Sequence, residues 1–154
     1  LARKTYIQKL NDTKELPKVV KLNEKERKRL GGKTMAIAKP TDIYAIMKKV
    51  PKKRVITLSE IRKIVSEKYD ADICCPLTTG IFVNISAHAS LELKDDLPYW
   101  RTLKSGGELN PKFPNAPDEQ IALLQSEGFT IVKKGRKNIR YFVKDYDKYL
   151  VSDI

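Results

Sequence analysis

Apolar positions recur at helical spacing through the middle of the chain and as β-prone runs near its end. After Pro40-Thr41-Asp42, which reads as a helix start, Ile43, Ile46, Met47 and Val50 follow at intervals of three and four and share one face; Pro51 stops that helix. Thr57-Leu58-Ser59-Glu60 has the capping-box form, a hydroxyl at the cap and a carboxylate three residues on, and Ile61, Ile64 and Val65 supply the buried stripe of the helix it opens. Pro76 suits a first helical turn, and residues 80–91 read as a third helix with Ile81, Ile85, His88 and Leu91 in line. Upstream, residues 16–20 read as extended, residues 24–30 as a short helix ended by Gly31-Gly32, and residues 35–38 as a short apolar stretch.

The remainder is punctuated by turns. Gly106-Gly107, Pro111, Pro114 and Pro117 make residues 101–118 a structured loop. Asp118-Glu119 suit the N-terminus of a short helix that packs Ile121, Leu124 and Leu123 inward and ends at Gly128. Residues 129–132 and 139–143 are β-prone runs around a basic turn, Lys133 to Asn138, and residues 145–150 read as a short closing helix. This order predicts an α+β fold: a winged-helix-like helix-turn-helix core with a C-terminal β-hairpin as the wing. The 154 residues suit one domain over residues 35–154, preceded by a basic N-terminal extension over residues 1–34.

Charge adds the first functional signal. The chain carries 31 Lys+Arg against 19 Asp+Glu, a net charge of +12. A field of that sign favours polyanions, and neutralised phosphates release counterions. Residues 1–34 hold eleven Lys and Arg against four Asp and Glu, so they are expected either to follow a phosphate backbone or to pack over the core as a partly ordered tail. No apolar run approaches the ~20 residues needed to span a membrane, and a membrane partner is not expected. The only cysteines are the adjacent Cys74 and Cys75, and the only histidine is His88. Neither a disulfide framework nor a zinc set is available, so no metal and no cofactor is expected. Without a secretory pattern, a reducing, cytoplasmic compartment is expected; opening on Leu1 rather than methionine suggests missing or trimmed residues.

Three segments in order resemble the DNA-binding domain of the alkylguanine-DNA alkyltransferase family: Val50 to Ile61, Pro98-Tyr99-Trp100-Arg101, and Ala122 to Gly128. The family moves an alkyl group from guanine onto a cysteine within Pro-Cys-His-Arg, with a histidine that a carboxylate orients. The resemblance aligns Tyr99 with that cysteine and Trp100 with that histidine, while Arg101 and Glu127 match. A phenol with a pKa near 10 is not an alkyl acceptor at neutral pH without a strong activator. The resemblance therefore implies a cysteine-less, alkyltransferase-like protein: a noncatalytic DNA binder, not an enzyme, that recognises damaged or distorted DNA in a repair setting, through the minor groove.

Two further positions depart from the family. Leu58 stands where the family rotates a phosphate with tyrosine, and Pro76 or Leu77 stands where it fills the base stack with arginine. Leu77 is a conceivable apolar wedge.

The candidate residues form two groups. Tyr99, Trp100, Arg101 and Glu127 either line a base-sized pocket at the former active site or fill it as core. Lys52, Lys53, Arg54, Thr57, Leu58, Ser59, Leu77, Thr78, Thr79, Lys134, Arg136 and Lys137 are the candidate DNA contacts, with capping as the other reading for the threonines and a solvated surface as the other reading for the cations. Cys75 and His88, thirteen positions apart, are expected to be small core residues rather than a nucleophile pair. A protein-interaction module that kept the fold and lost nucleic-acid binding is the alternative function, and an enzyme using a reshaped pocket lacks any convincing residue set.

Overall fold

The computed structural model describes residues 3–154. Helix α1 (Tyr6–Leu10) opens it and is followed by β1 (Lys18–Lys21), α2 (Glu24–Leu30), β2 (Thr34–Ile37), α3 (Pro40–Lys48) and β3 (Ile56–Thr57). Then come α4 (Leu58–Lys68), β4 (Ile73–Cys74), α5 (Pro76–Leu93), β5 (Thr102–Leu103), α6 (Asp118–Ser126), β6 (Ile131–Lys134) and β7 (Arg140–Val143). Short 3₁₀ turns occupy Tyr99–Arg101, Ser105–Gly107 and Tyr146–Tyr149; the last of these stands where a final helix is expected. The α+β class is as read from the sequence. No helix among the described residues is long and apolar enough to cross a membrane.

Helix α4 begins where the capping pattern puts it. The Glu60 carboxylate accepts from the Thr57 N–H at 2.8 Å and from the Thr57 hydroxyl at 2.7 Å. Ile61 and Val65 are buried and Ile64 packs at the edge of the same core, so this stripe is as the spacing predicts. Helix α3 likewise starts at Pro40 and buries Ile43, Ile46 and Met47.

Helix α5 differs. It runs from Pro76, and its buried face is Thr79, Val83, Ser86, Ala87, Ala89 and Ser90, while Ile81 and Leu91 are exposed and Ile85 and His88 are half-buried. The predicted apolar stripe is therefore not the core face. Small residues let α5 lie close against α3 and α4, and the flank carrying His88 is covered instead by α1: the His88 and Tyr6 rings stack with centroids 4.5 Å apart.

Of the expected N-terminal extension, the described residues 3–34 are built into the fold. The Glu92 carboxylate near the end of α5 accepts from the N–H groups of Tyr6 and Ile7 at 3.3 and 2.9 Å. Strand β1 pairs antiparallel with β2, and β2 pairs parallel with β4. The boundary expected between residues 34 and 35 falls inside β2, because Thr34 and Ile37 belong to one ladder with β1.

The β6–β7 hairpin pairs Ile131 with Val143 through Lys134 with Arg140. Its first strand starts two residues later than predicted, since Phe129 is buried against the Tyr149 ring instead of extending the ladder. Gly135 has φ +98°, and a Cβ there would collide with the Asn138 carbonyl, so the turn requires glycine. Two apolar clusters make the core. One is built on α3, α4 and α5 and includes Tyr99; the other gathers Val55, Leu103, Leu109, Leu124, Phe129 and Val143; Trp100 packs against both.

Candidate nucleic-acid interface

The Tyr99–Arg101 turn is a closed knot, not a pocket. Tyr99 is 2% exposed; its ring meets the edges of Trp100 and Phe113, and its hydroxyl bonds the Glu119 carboxylate. Burial, followed by that carboxylate, pushes the Tyr99 phenol well above its ordinary value. Of the two readings of this motif, the structure takes core filling for Tyr99, and the pocket expected there is corrected accordingly: Phe113 from the long loop and Glu119 from α6 close the space.

Glu127 is the hub beside it. Its carboxylate accepts from Arg101 Nε at 3.0 and 3.1 Å, Arg101 Nη2 at 2.8 Å, Trp100 Nε1 at 2.8 Å and the Lys53 N–H at 3.1 Å. Arg101 Nη1 donates onward to the Val50 carbonyl at 2.8 Å. Burial pushes the Glu127 carboxyl up, but the donors from Arg101, Trp100 and Lys53 together outweigh it and hold the group below its ordinary value. The pair that matches the resemblance thus ties the end of α6 to the turn before β3.

Two predicted contacts are not available to a ligand. Thr57 is 2% exposed and spends its hydroxyl on Glu60. Thr79 is 1% exposed, donates to the Cys75 carbonyl at 2.8 Å and touches the Cys74 sulfur. Both follow the capping and core alternative: the Thr57 hydroxyl is held by the Glu60 side chain at the helix start, and the Thr79 hydroxyl by the backbone of the preceding turn. Cys75 and His88 are not brought together. Cys75 is buried at the start of α5, and His88 Nε2 lies 2.8 Å from the Lys112 carbonyl, about 20 Å down the helix at 1.5 Å per residue.

The open concavity lies on another face. A cavity of about 270 Å³ is walled by Leu58 from α4, by Leu77, Ile81 and Asn84 from α5, and by Lys104 and Lys112 from the loop. Leu77, in the first turn of α5, is 72% exposed, more than any other large apolar side chain among the described residues. Asn110 fixes the loop: its amide donates to Asn84 Oδ1 at 2.7 Å and its N–H to the buried Gln120 at 3.0 Å. The hairpin docks on the same loop. Arg140 makes a two-pronged pair with Glu108 at 2.7 and 3.0 Å, and the Leu109 N–H donates to the Tyr141 carbonyl at 2.8 Å. Arg140 holds the Glu108 carboxyl below its ordinary value.

The candidate contacts are distributed unevenly around this cavity. Leu58 and Leu77 line it, with Thr78 half-buried beside Leu77. Ser59 touches Ser105 of the loop at 3.1 Å. Lys134, Arg136 and Lys137 are exposed on the hairpin. Lys52, Lys53 and Arg54 are exposed in the turn before β3 but do not line the cavity; Arg54 donates to the Lys148 carbonyl at 3.3 Å. Ile81, Asn84, Lys104, Asn110 and Lys112 escape a reading of the sequence. Only the turn-rich composition of residues 101–118 hints at an ordered wall there.

No family model and no curated protein matches the chain. Solved structures do. One is S. pombe Atl1 in complex with damaged DNA containing O6-carboxymethylguanine, at 19% identity and a TM-score of 0.55 over 74% of this chain and 94% of that one. Another is S. pombe ATL in complex with DNA, at 18% identity and the same TM-score and coverage. The chain thus has the fold of Atl1, as its resemblance to the alkyltransferases implies.

Proposed function

We propose that this chain is a noncatalytic DNA-binding protein that recognises damaged or distorted duplexes through the face where α4 and α5 begin. In this reading α4 and α5 act as the helix-turn-helix and the β6–β7 hairpin as its wing. The observation that carries it is Leu77, an exposed apolar side chain at the tip of α5 beside an open cavity rimmed by Lys104 and Lys112. An apolar wedge at a groove partly unstacks a base step, and this costs least where the duplex is already weakened by a lesion. The cavity receives the displaced base, whose edge meets Asn84 and Asn110, while the loop and hairpin cations neutralise the flanking phosphates.

Minor-groove entry is part of the proposal and rests on the resemblance to the alkyltransferase family; the fold shared with DNA-bound Atl1 supports DNA as the partner. Alkyl transfer is excluded from it on chemistry. The phenol of Tyr99 is buried, bonded to a carboxylate and harder to ionise than a free tyrosine, so it is not a nucleophile at neutral pH.

The test is binding to matched, mismatched and alkylguanine-containing duplexes across a salt series, with intact-mass measurement after incubation. The expected result is steep salt dependence, tighter binding to the distorted duplexes and no mass adduct. Absence of binding at low salt removes the proposal. Equal affinity for all three duplexes removes lesion recognition, and an adduct on any residue removes the noncatalytic assignment.

A further inference from the structure

A second basic concavity lies beside this face. A cleft of about 420 Å³ runs between the end of α2, the outer face of α4 and the start of α5, and it is lined by Arg29, Arg62, Lys63 and Ser66. On α4, Ser59, Arg62, Lys63 and Ser66 fall at intervals of three and four, so they form one stripe of cations and hydroxyls along the helix. None of Arg29, Arg62 and Lys63 lies within ion-pair distance of a carboxylate among the described residues. The acid in the cleft, Asp72, is committed elsewhere, accepting from the N–H groups of Lys33 and Thr34 at 2.8 and 3.2 Å.

The cleft is continuous with the first cavity. Pro76 borders both. Arg62 Nη2 donates to Ser59 Oγ at 3.3 Å, and Ser59 in turn meets Ser105, next to Lys104. A line of donors therefore leads from the loop across the first turns of α4 to Arg29. Three cations share the concavity with the single carboxylate of Asp72, so they outnumber the acid and focus a net positive potential there, the condition a polyanion relieves. Arg62 and Lys63 face the cleft from α4 and Arg29 from α2, and cations on two walls of a channel suit a run of backbone phosphates rather than one isolated anion.

We propose that Arg29, Arg62 and Lys63 hold a second stretch of DNA sugar-phosphate backbone, so that the N-terminal segment, through α2, lengthens the duplex footprint beyond α5. The assignment rests on the DNA-binding reading above. It gives α2 a role as one wall of a phosphate channel; α2 buries none of its own residues, and its last turn carries Arg27, Lys28 and Arg29.

The test compares the full chain with Arg29→Gln/Lys63→Gln on a fluorescent mismatched duplex of about 20 base pairs, the size of a bent protein site. Both residues are exposed, so folding is expected to be unchanged, and a matching thermal melt checks this. The control is Arg3→Gln/Lys94→Gln, which removes the same charge; Lys94 caps the far end of α5, a helix about 27 Å long at 1.5 Å per residue over 18 residues.

The channel predicts that Arg29→Gln/Lys63→Gln lowers the slope of log affinity against log salt by about 1.8, at about 0.9 per lost phosphate contact, with the control unchanged. An unchanged slope in Arg29→Gln/Lys63→Gln, with wild-type binding intact, overturns the channel and leaves the DNA reading standing. Equal loss in the control also overturns it, since net charge then accounts for the effect. If the wild-type chain binds no duplex, the DNA reading itself fails.

Discussion

The surroundings of Glu127 and of Leu77 differ in what they leave unsatisfied. Around Glu127, Arg101, Trp100 and the Lys53 N–H saturate one carboxylate, and Tyr99 next door is closed over by Phe113. Around Leu77 an apolar side chain and an open cavity face solvent, with Lys104 and Lys112 on the rim. The motif that resembles a reactive centre acts here as a brace, and the unspent interaction capacity sits on the flank where α4 and α5 begin. A pair such as Arg101 and Glu127 thus needs no reactive role to account for it, because it holds a turn in place.

The sharpest way to break the contrast is Glu127→Ala. Removing one partner of a buried pair strands the other, and the expected loss is about 3–5 kcal/mol by urea titration. A loss under about 1 kcal/mol would mean that Glu127 is no brace. The same group gives a pH signature. Its folded-state pKa lies below the ordinary carboxylate value of 4.5, so its stabilisation is full above that pH and is lost as pH falls through the lower folded value. Glu127→Gln should flatten this acid limb.

Leu77→Ala probes the other side. It should leave thermal stability within about 0.5 kcal/mol, as for an exposed position, and weaken binding to a mismatched duplex by about tenfold, a loss near 1.4 kcal/mol. Unchanged binding would remove the wedge. Tyr99→Phe comes next. It deletes the bond to Glu119, which keeps the Asn115 amide at 2.6 Å, and should cost about 1 kcal/mol without touching DNA affinity. Because the folded phenol is raised above its ordinary value of 10.0, the wild type should lose stability as pH rises past that value, and Tyr99→Phe should lose less. The smallest effect is expected from Lys52→Gln/Arg54→Gln, under about twofold in affinity, since neither residue borders the cavity.

What the sequence discloses here divides along the reach of each interaction. The α4 start is legible because Thr57 and Glu60 settle it within one turn. The α3 stripe is legible because its apolar spacing is local. Helix α5 misleads because its large apolar residues face outward while small ones face the core, and only packing against α3 and α4 decides between the two faces. The closure over Tyr99 depends on Phe113 and Glu119, fourteen and twenty positions away, and the β2–β4 pairing depends on residues still further apart, Met35 with Ile73. The cavity is assembled from three separate segments, so no single run of residues announces it.

Trp100 is the chain's single tryptophan, and it sits at the seam of the two apolar clusters with its indole N–H on Glu127. The protein therefore carries its own fluorophore at the joint of its two halves. Emission from that indole should register the loosening of either cluster and the protonation of its carboxylate partner. It should stay nearly silent when DNA docks at Leu77, so one cuvette can separate unfolding from binding.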